Sequence, residues 1–191
     1  MAREQLTQLR KQMKQYGIDA YLIVSDDFHA SEYVGDYFKC REYISGFDGS
    51  AGTLVITALE AGLWTDGRYF LQAEEQLKGS GITLYRSGEP GVLRIPQFLQ
   101  KVLQKGQCLG YDGRTISVTY ATQLKEALRE KEIRFEENMD LVGMIWKDRP
   151  EMSAEPVWLL ADCYAGKSRR EKLMEVRRQM KQQGADVFLL S

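Results

Sequence analysis

The sequence predicts an α/β domain, a parallel or mixed sheet covered by helices. Between residues 3 and 136, segments with helical spacing of apolar residues alternate with short β-type runs. Gly, Asp-Gly and Ser stand at the joints, where turns and caps are expected. A unit of helix, glycine stop and strand opens the chain and recurs near its end.

The first helix follows from Leu6, Leu9 and Met13, one apolar stripe at i, i+3 and i+7. Gly17 stands where a left-handed residue would end that helix, and Ala20–Val24 is an apolar run suited to a buried strand. A polar loop, Ser25–Glu32, and a Gly-punctuated segment to Gly52 come next. Thr53–Thr57 and Gly62–Thr65 read as strands across a short turn. Arg68–Leu77 repeats Phe70, Ala73 and Leu77 at helical spacing. Ile82–Tyr85 reads as a strand, Ile95–Leu103 as a helix and Cys108–Tyr111 as a strand. Ser117 is the expected N-cap of a helix with Val118, Ala121, Leu124 and Leu128 on one face. Glu132–Glu136 closes the series as a strand.

The repeat sets the domain boundaries. At an offset of 167, Arg3–Val24 and Arg170–Ser191 are identical at 11 of 22 positions, Gly17/Gly184 and Asp19/Asp186 among them. That period is the size of a whole domain, too long for a solenoid unit. Residues 1–150 are therefore expected to form one domain, 151–166 a linker, and 167–191 the first helix and strand of a second, homologous domain. A lone helix–strand pair cannot bury a core of its own, so the chain is expected to be a piece of something longer.

Composition excludes several classes. Hydrophobic residues make up 43% and charged residues 28%, a globular balance. With 26 basic and 27 acidic residues the net charge is −1, so no global field points to nucleic acid or anionic lipid. Three scattered cysteines (Cys40, Cys108, Cys163) suit a reducing compartment better than a disulfide framework. The polar N-terminus is no signal peptide, and no stretch nears the roughly 18 apolar residues that span a bilayer. A cytoplasmic protein is expected.

Self-contained chemistry is hard to find. With one histidine, His29, a multi-His metal site is out of reach. Asp26, Asp27, His29 and Glu32 could hold a divalent ion, but a polar loop with local backbone bonds is the preferred reading. Ser45–Thr53 spaces Gly46, Gly49 and Gly52 three apart. It could cradle an anion through backbone N–H groups, or it could be a close-packed loop with no room for Cβ atoms, the preferred reading. In Leu63–Gln72, Asp-Gly reads as a tight turn and puts Arg68 in the first turn of a helix, where the macrodipole does not favour a cation. Such local violations concentrate at functional sites. Trp64 is expected in the core.

Four segments together resemble the cytosolic-type Xaa-Pro aminopeptidases (aminopeptidase P) of the creatinase/prolidase group of pita-bread metallopeptidases. They are SDDFHASEY (Ser25–Tyr33), SGFDGSAGT (Ser45–Thr53), WTDGRYFLQA (Trp64–Ala73) and IWKDRP (Ile145–Pro150). The resemblance implies a three-layer mixed sheet with helices on both faces, as in creatinase/prolidase N-terminal domains. It also implies two homologous N-terminal domains ahead of a catalytic one. The family's metal ligands, two Asp, one His and two Glu, belong to that catalytic domain. Two divalent metal ions, manganese by expectation, would sit there and none in this chain.

By the same resemblance Arg68 matches the arginine that reaches the active site and contacts the peptide, a task suited to its two-pronged fork. His29 is the second substrate-binding candidate, with Ser31 and Tyr33 beside it in a polar segment near that face and without assigned roles. The implied function is that of a non-catalytic N-terminal domain, silent alone, of a homodimeric enzyme that removes the residue preceding a proline in second position. Two alternatives stay open: a non-catalytic peptide- or protein-binding member of the group, and a creatinase-type amidinohydrolase.

Overall fold

The computed structural model describes residues 2–190. The chain divides after Ser153 into two compact units. The first holds a six-stranded mixed sheet in the order β4-β3-β2-β1-β5-β6. Its strands are β1 (Ala20–Ile23), β2 (Thr53–Thr57), β3 (Ala61–Thr65), β4 (Thr83–Arg86), β5 (Cys108–Tyr111) and β6 (Arg134–Glu136). β2 is antiparallel to both β1 and β3, while the pairs β1/β5, β3/β4 and β5/β6 are parallel.

The period of two along each strand divides the interior into two cores. Tyr21, Ile23, Leu54, Ile56, Leu63 and Cys108 face one side. There they meet α1 (Ala2–Tyr16), α2 (Cys40–Ser45), α3 (Phe70–Gln76) and α6 (Leu141–Ile145), through Leu6, Leu9, Met13, Ile44, Ala73, Leu141 and Val142. Ala20, Leu22, Val55, Trp64, Leu109 and Tyr111 face the other side, against α4 (Ile95–Val102) and α5 (Val118–Ala127). The expected mixed sheet with helices on both faces is therefore the observed one.

The local signals act as physics requires. Leu6, Leu9 and Met13 are the buried residues of α1, each contributing roughly 1.5–3 kcal/mol on full burial. Gly17 ends that helix at φ +65°, and Ile18 N–H donates to the Met13 carbonyl. The carboxylate of Asp19 then receives the backbone N–H of Cys108 at 2.8 Å and fixes the start of β5 beside β1. Ser117 caps α5, its hydroxyl accepting from Tyr120 N–H at 3.2 Å. Trp64 is 4% exposed, stacks on Tyr85 and donates to the Leu93 carbonyl, a core residue. Two short helices, α2 and α6, occupy segments where the sequence shows no helical spacing.

The second unit begins with an irregular stretch, and a short helix, α7 (Asp162–Ala165), interrupts the expected linker. α8 (Arg169–Gln183) has a Ser168/Glu171 capping box and ends at Gly184 with φ +65°, as α1 ends at Gly17. Unlike Leu6, Leu9 and Met13, the matching stripe of α8 has no buried residue. The expected strand after Gly184 is not formed. Val187–Leu190 has no ladder partner, and a strand exists only by pairing. Ser191, the last residue of the repeat, lies outside the described residues. Among the described residues no helix is long and apolar enough to cross a membrane. All three cysteines are free.

Candidate functional site

All strands of the sheet but β2 run the same way, so the ends of β1, β3 and β5 share one edge with the start of β2. Ligands of α/β sheets gather beyond the carboxyl ends of parallel strands. The three polar motifs lie there. Ser25–Tyr33 leaves β1, Gly46–Gly52 enters β2, and Asp66–Tyr69 leaves β3. Cross-bonds hold them together: Ser25 Oγ donates to the Gly52 carbonyl at 2.5 Å, and Thr65 Oγ1 donates to the Ala51 carbonyl at 2.6 Å.

Arg68 sits in a turn braced by Asp66. Asp66 accepts from Arg68 Nε and Nη2, both at 2.9 Å, and from its backbone N–H at 3.1 Å. This fork-on-carboxylate bond raises the Arg68 pKa further and lowers that of Asp66. One side of the guanidinium is thereby fixed in direction. The side chain is still 61% exposed, so its remaining donors face solvent. The guanidinium lies 5.2 Å from the Tyr69 ring centroid, and Tyr69 Oη hydrogen-bonds Ser50 Oγ at 2.7 Å.

The same tripeptide recurs at the end of β5, a signal passed over in the sequence. Asp112-Gly113-Arg114 repeats the turn: Nε donates to Asp112 Oδ1 at 2.9 Å, Nη2 to Oδ2 at 2.8 Å, and N–H to Oδ1 at 3.1 Å. The two copies differ in what surrounds them. Arg114 also donates to Asp140 Oδ2 at 3.2 Å and packs over Phe28 at 5.1 Å. That copy is closed by neighbours, whereas the Arg68 copy is open.

The glycine-rich segment is filled from within. A Cβ on Gly49 would lie 2.7 Å from Tyr69 Cδ1, and one on Gly52 2.8 Å from Arg41 Nη1. Four of its amides are occupied: those of Gly46, Phe47, Asp48 and Gly52 donate to Glu42 O, Ser45 Oγ, Gln76 Oε1 and Ser25 Oγ. The close-packed reading holds at Gly49 and Gly52. Arg41, from α2, is the residue that sequence reasoning missed. It is only 7% exposed and donates to Ser25 Oγ at 2.8 Å and to the Gly49 carbonyl. Nothing in the sequence distinguishes it from the solvent-facing arginines.

The histidine loop is held by its own backbone. Asp27 Oδ1 accepts from the N–H groups of His29 (2.8 Å) and Ser31 (3.0 Å), and Ala30 turns through φ +55°. Those bonds lower the Asp27 pKa, while burial and the charge of Asp27 raise that of Asp26. His29 is exposed, and no hydrogen bond or ion pair among the described residues joins it to Arg68. Glu32 and Tyr33 reach instead into a cleft of about 240 Å³ bordered by Arg41, Asp48 and Ser50. Among the described residues no three His, Cys, Asp or Glu side chains come together as metal ligands.

Comparisons with known proteins match this chain over nearly its whole length. Family profiles described as creatinase/prolidase N-terminal domain cover residues 5–149 and, in a second form, 148–191. Aminopeptidase P2 of Arabidopsis thaliana is 42% identical over 98% of this chain, which spans 27% of that protein. Xaa-Pro aminopeptidase 1 of Dictyostelium discoideum is 40% identical over 98% of the chain, which spans 31% of it. The chain thus spans about a third or less of the curated relatives it matches. The crystal structure of an X-prolyl aminopeptidase from Caenorhabditis elegans, described as a cytosolic enzyme with a di-nuclear active site, superposes with a TM-score of 0.84. It is 32% identical over 97% of this chain and 32% of its own.

Proposed function

The chain belongs to the creatinase/prolidase N-terminal domain family, and from that premise we propose that it is the non-catalytic N-terminal part of an Xaa-Pro aminopeptidase. It would shape the cleft that receives a peptide with proline in second position. The observation that carries this reading is the open Asp66–Arg68 turn at the carboxyl edge of the sheet. Asp66 holds one side of the fork, so the free side meets a peptide carbonyl or carboxylate with little loss of side-chain freedom. An isolated exposed lysine would have no such constraint.

The chain's own residues do not fit a dinuclear metal centre, since no cluster of ligands forms among those described. By the family resemblance the metal chemistry would belong to a further domain, with two divalent ions, manganese by expectation. What this chain does is bind and orient. Arg68 holds the peptide, and His29, on the loop leaving β1, would contact the substrate from the same edge. The second unit is the opening of a second domain of the same kind, beyond a linker at 151–166. A cytoplasmic homodimer completes the reading.

The test is steady-state hydrolysis of an Arg-Pro-Pro peptide with added Mn²⁺ by the natural full-length protein and by residues 1–191. The full-length protein should cleave and the 191-residue chain should not. In the full-length protein Arg68→Ala should lower kcat/KM by roughly 10- to 100-fold, the loss of one hydrogen bond to a charged group. Cleavage by the 191-residue chain, or an Arg68→Ala variant within about twofold of wild type, sinks the proposal.

A further inference from the structure

Arg41 has an unusual environment for a charged side chain. It is 7% exposed, it forms no ion pair among the described residues, and its buried Nε has no hydrogen-bond partner. Burying a guanidinium without a counter-charge is costly, and burial depresses its pKa to about 10. An apolar residue on α2 would avoid that cost. The bonds Arg41 does make show what it holds.

Both of its hydrogen-bonded partners lie in loops at the carboxyl edge: Ser25 Oγ after β1 and the Gly49 carbonyl before β2. Its guanidinium lies 4.8 Å from the Phe47 ring centroid. Ser25 in turn accepts from Gly52 N–H at 3.1 Å, so one buried group holds the middle of the glycine-rich loop directly and, through Ser25, the end that enters β2. That loop packs on Tyr69 by two contacts. The Phe47 ring meets Tyr69 edge-on at 5.9 Å, and Ser50 Oγ bonds Tyr69 Oη at 2.7 Å. Tyr69 is bonded covalently to Arg68 and lies under its guanidinium.

We infer that Arg41 is a positioning residue: through the 47–50 loop and the Tyr69 ring it sets the direction in which Arg68 presents its free donors. This rests on the reading of Arg68 as a peptide contact. A lysine at position 41 keeps the charge but lacks the planar fork that reaches Ser25 and Gly49 together.

A double-mutant cycle in the full-length enzyme tests it, with Arg41→Met, Arg68→Ala and the pair assayed for KM and kcat on an Xaa-Pro peptide. Arg41→Met should raise KM by about tenfold with a smaller change in kcat, since misplaced binding groups cost that much or more. Arg41→Lys should recover little of the loss. The pair should be no worse than Arg68→Ala alone, because a contact already removed cannot be misaligned. Additive losses in the pair, or wild-type KM for Arg41→Met, overturn the inference while leaving Arg68 as a contact. An inert Arg68→Ala overturns both readings together. If Arg41→Met does not fold, Tyr69→Phe, which deletes one hydroxyl, carries the same cycle with the same two outcomes.

Discussion

Replacing Tyr21 with Phe should loosen α6, the helix that closes one core. Tyr21 is 2% exposed, and its hydroxyl is wedged between two backbone groups. It donates to the Met139 carbonyl at 2.5 Å and accepts from Leu141 N–H at 3.1 Å. Burial first, with the charges of Asp140 and Asp112 adding to it and the Leu141 N–H opposing, raises the phenol's pKa far above its ordinary value. The hydroxyl is therefore a neutral donor at any working pH. Phenylalanine keeps the ring and its packing, so no large cavity opens. The loss falls on a carbonyl and an amide that water reaches poorly, at about 1–3 kcal/mol for an unsatisfied buried group. A destabilisation of about 2 kcal/mol lowers Tm by about 4–8 °C in a domain of this size. Thermal and urea unfolding of the 191-residue chain measure it, and hydrogen exchange at Leu141–Ile145 localises it. A Tm within about 1 °C of wild type together with unchanged exchange in α6 would refute the reasoning.

Two further outcomes follow from the loops at the carboxyl edge. Asp26 and Asp27 are adjacent but titrate in opposite senses: burial raises the pKa of Asp26, and the N–H groups of Ser31 and His29 lower that of Asp27. The ionised Asp27 thus contributes stability that is present above its unfolded pKa and lost as pH falls through the folded value. The stability linked to Asp26 is present below its unfolded pKa and lost as pH rises through its folded value. At neutral pH Asp27→Asn should lower Tm and Asp26→Asn should leave it unchanged or raise it; equal shifts of one sign count against the assignment. Gly49→Ala drives a Cβ into the Phe47 and Tyr69 rings and should cost roughly 1–3 kcal/mol in urea unfolding. A neutral substitution there would mean that the loop is not close-packed.

Much of the architecture was legible because its signals are local. Leu6, Leu9 and Met13 are spaced by the helical period and are the residues that α1 buries. Ser117 and Gly17 act as cap and stop through bonds to their near neighbours. α2 and α6 were not legible, since helices of 6 and 5 residues are too short to be stable from their own sequence and form only against a tertiary surface. The strand expected after Gly184 failed for the converse reason. Its residues match those of β1, but β1 is a strand through its pairing with β2 and β5, and Val187–Leu190 has no such neighbours.

By itself the sequence determined the α/β class, the order of the main elements, and the strings that tie the chain to its family. Arg68 stood out because the sequence placed a cation in an expected first helical turn. The structure corrects the placement, since α3 begins at Phe70 with Tyr69 as N-cap and Arg68 lies in the turn before it. Only the tertiary structure decided that β2 runs against its neighbours, and that the motifs after β1, before β2 and after β3 meet at one edge. Only it separated two identical Asp-Gly-Arg turns, one sealed by Asp140 and Phe28 and one open. It also put a buried arginine, with no ion pair among the described residues, beneath the glycine-rich loop. The physical reason is range: caps, stops and helical stripes act over a few residues of chain. Strand order, burial and the company a side chain keeps depend on groups that are distant in sequence.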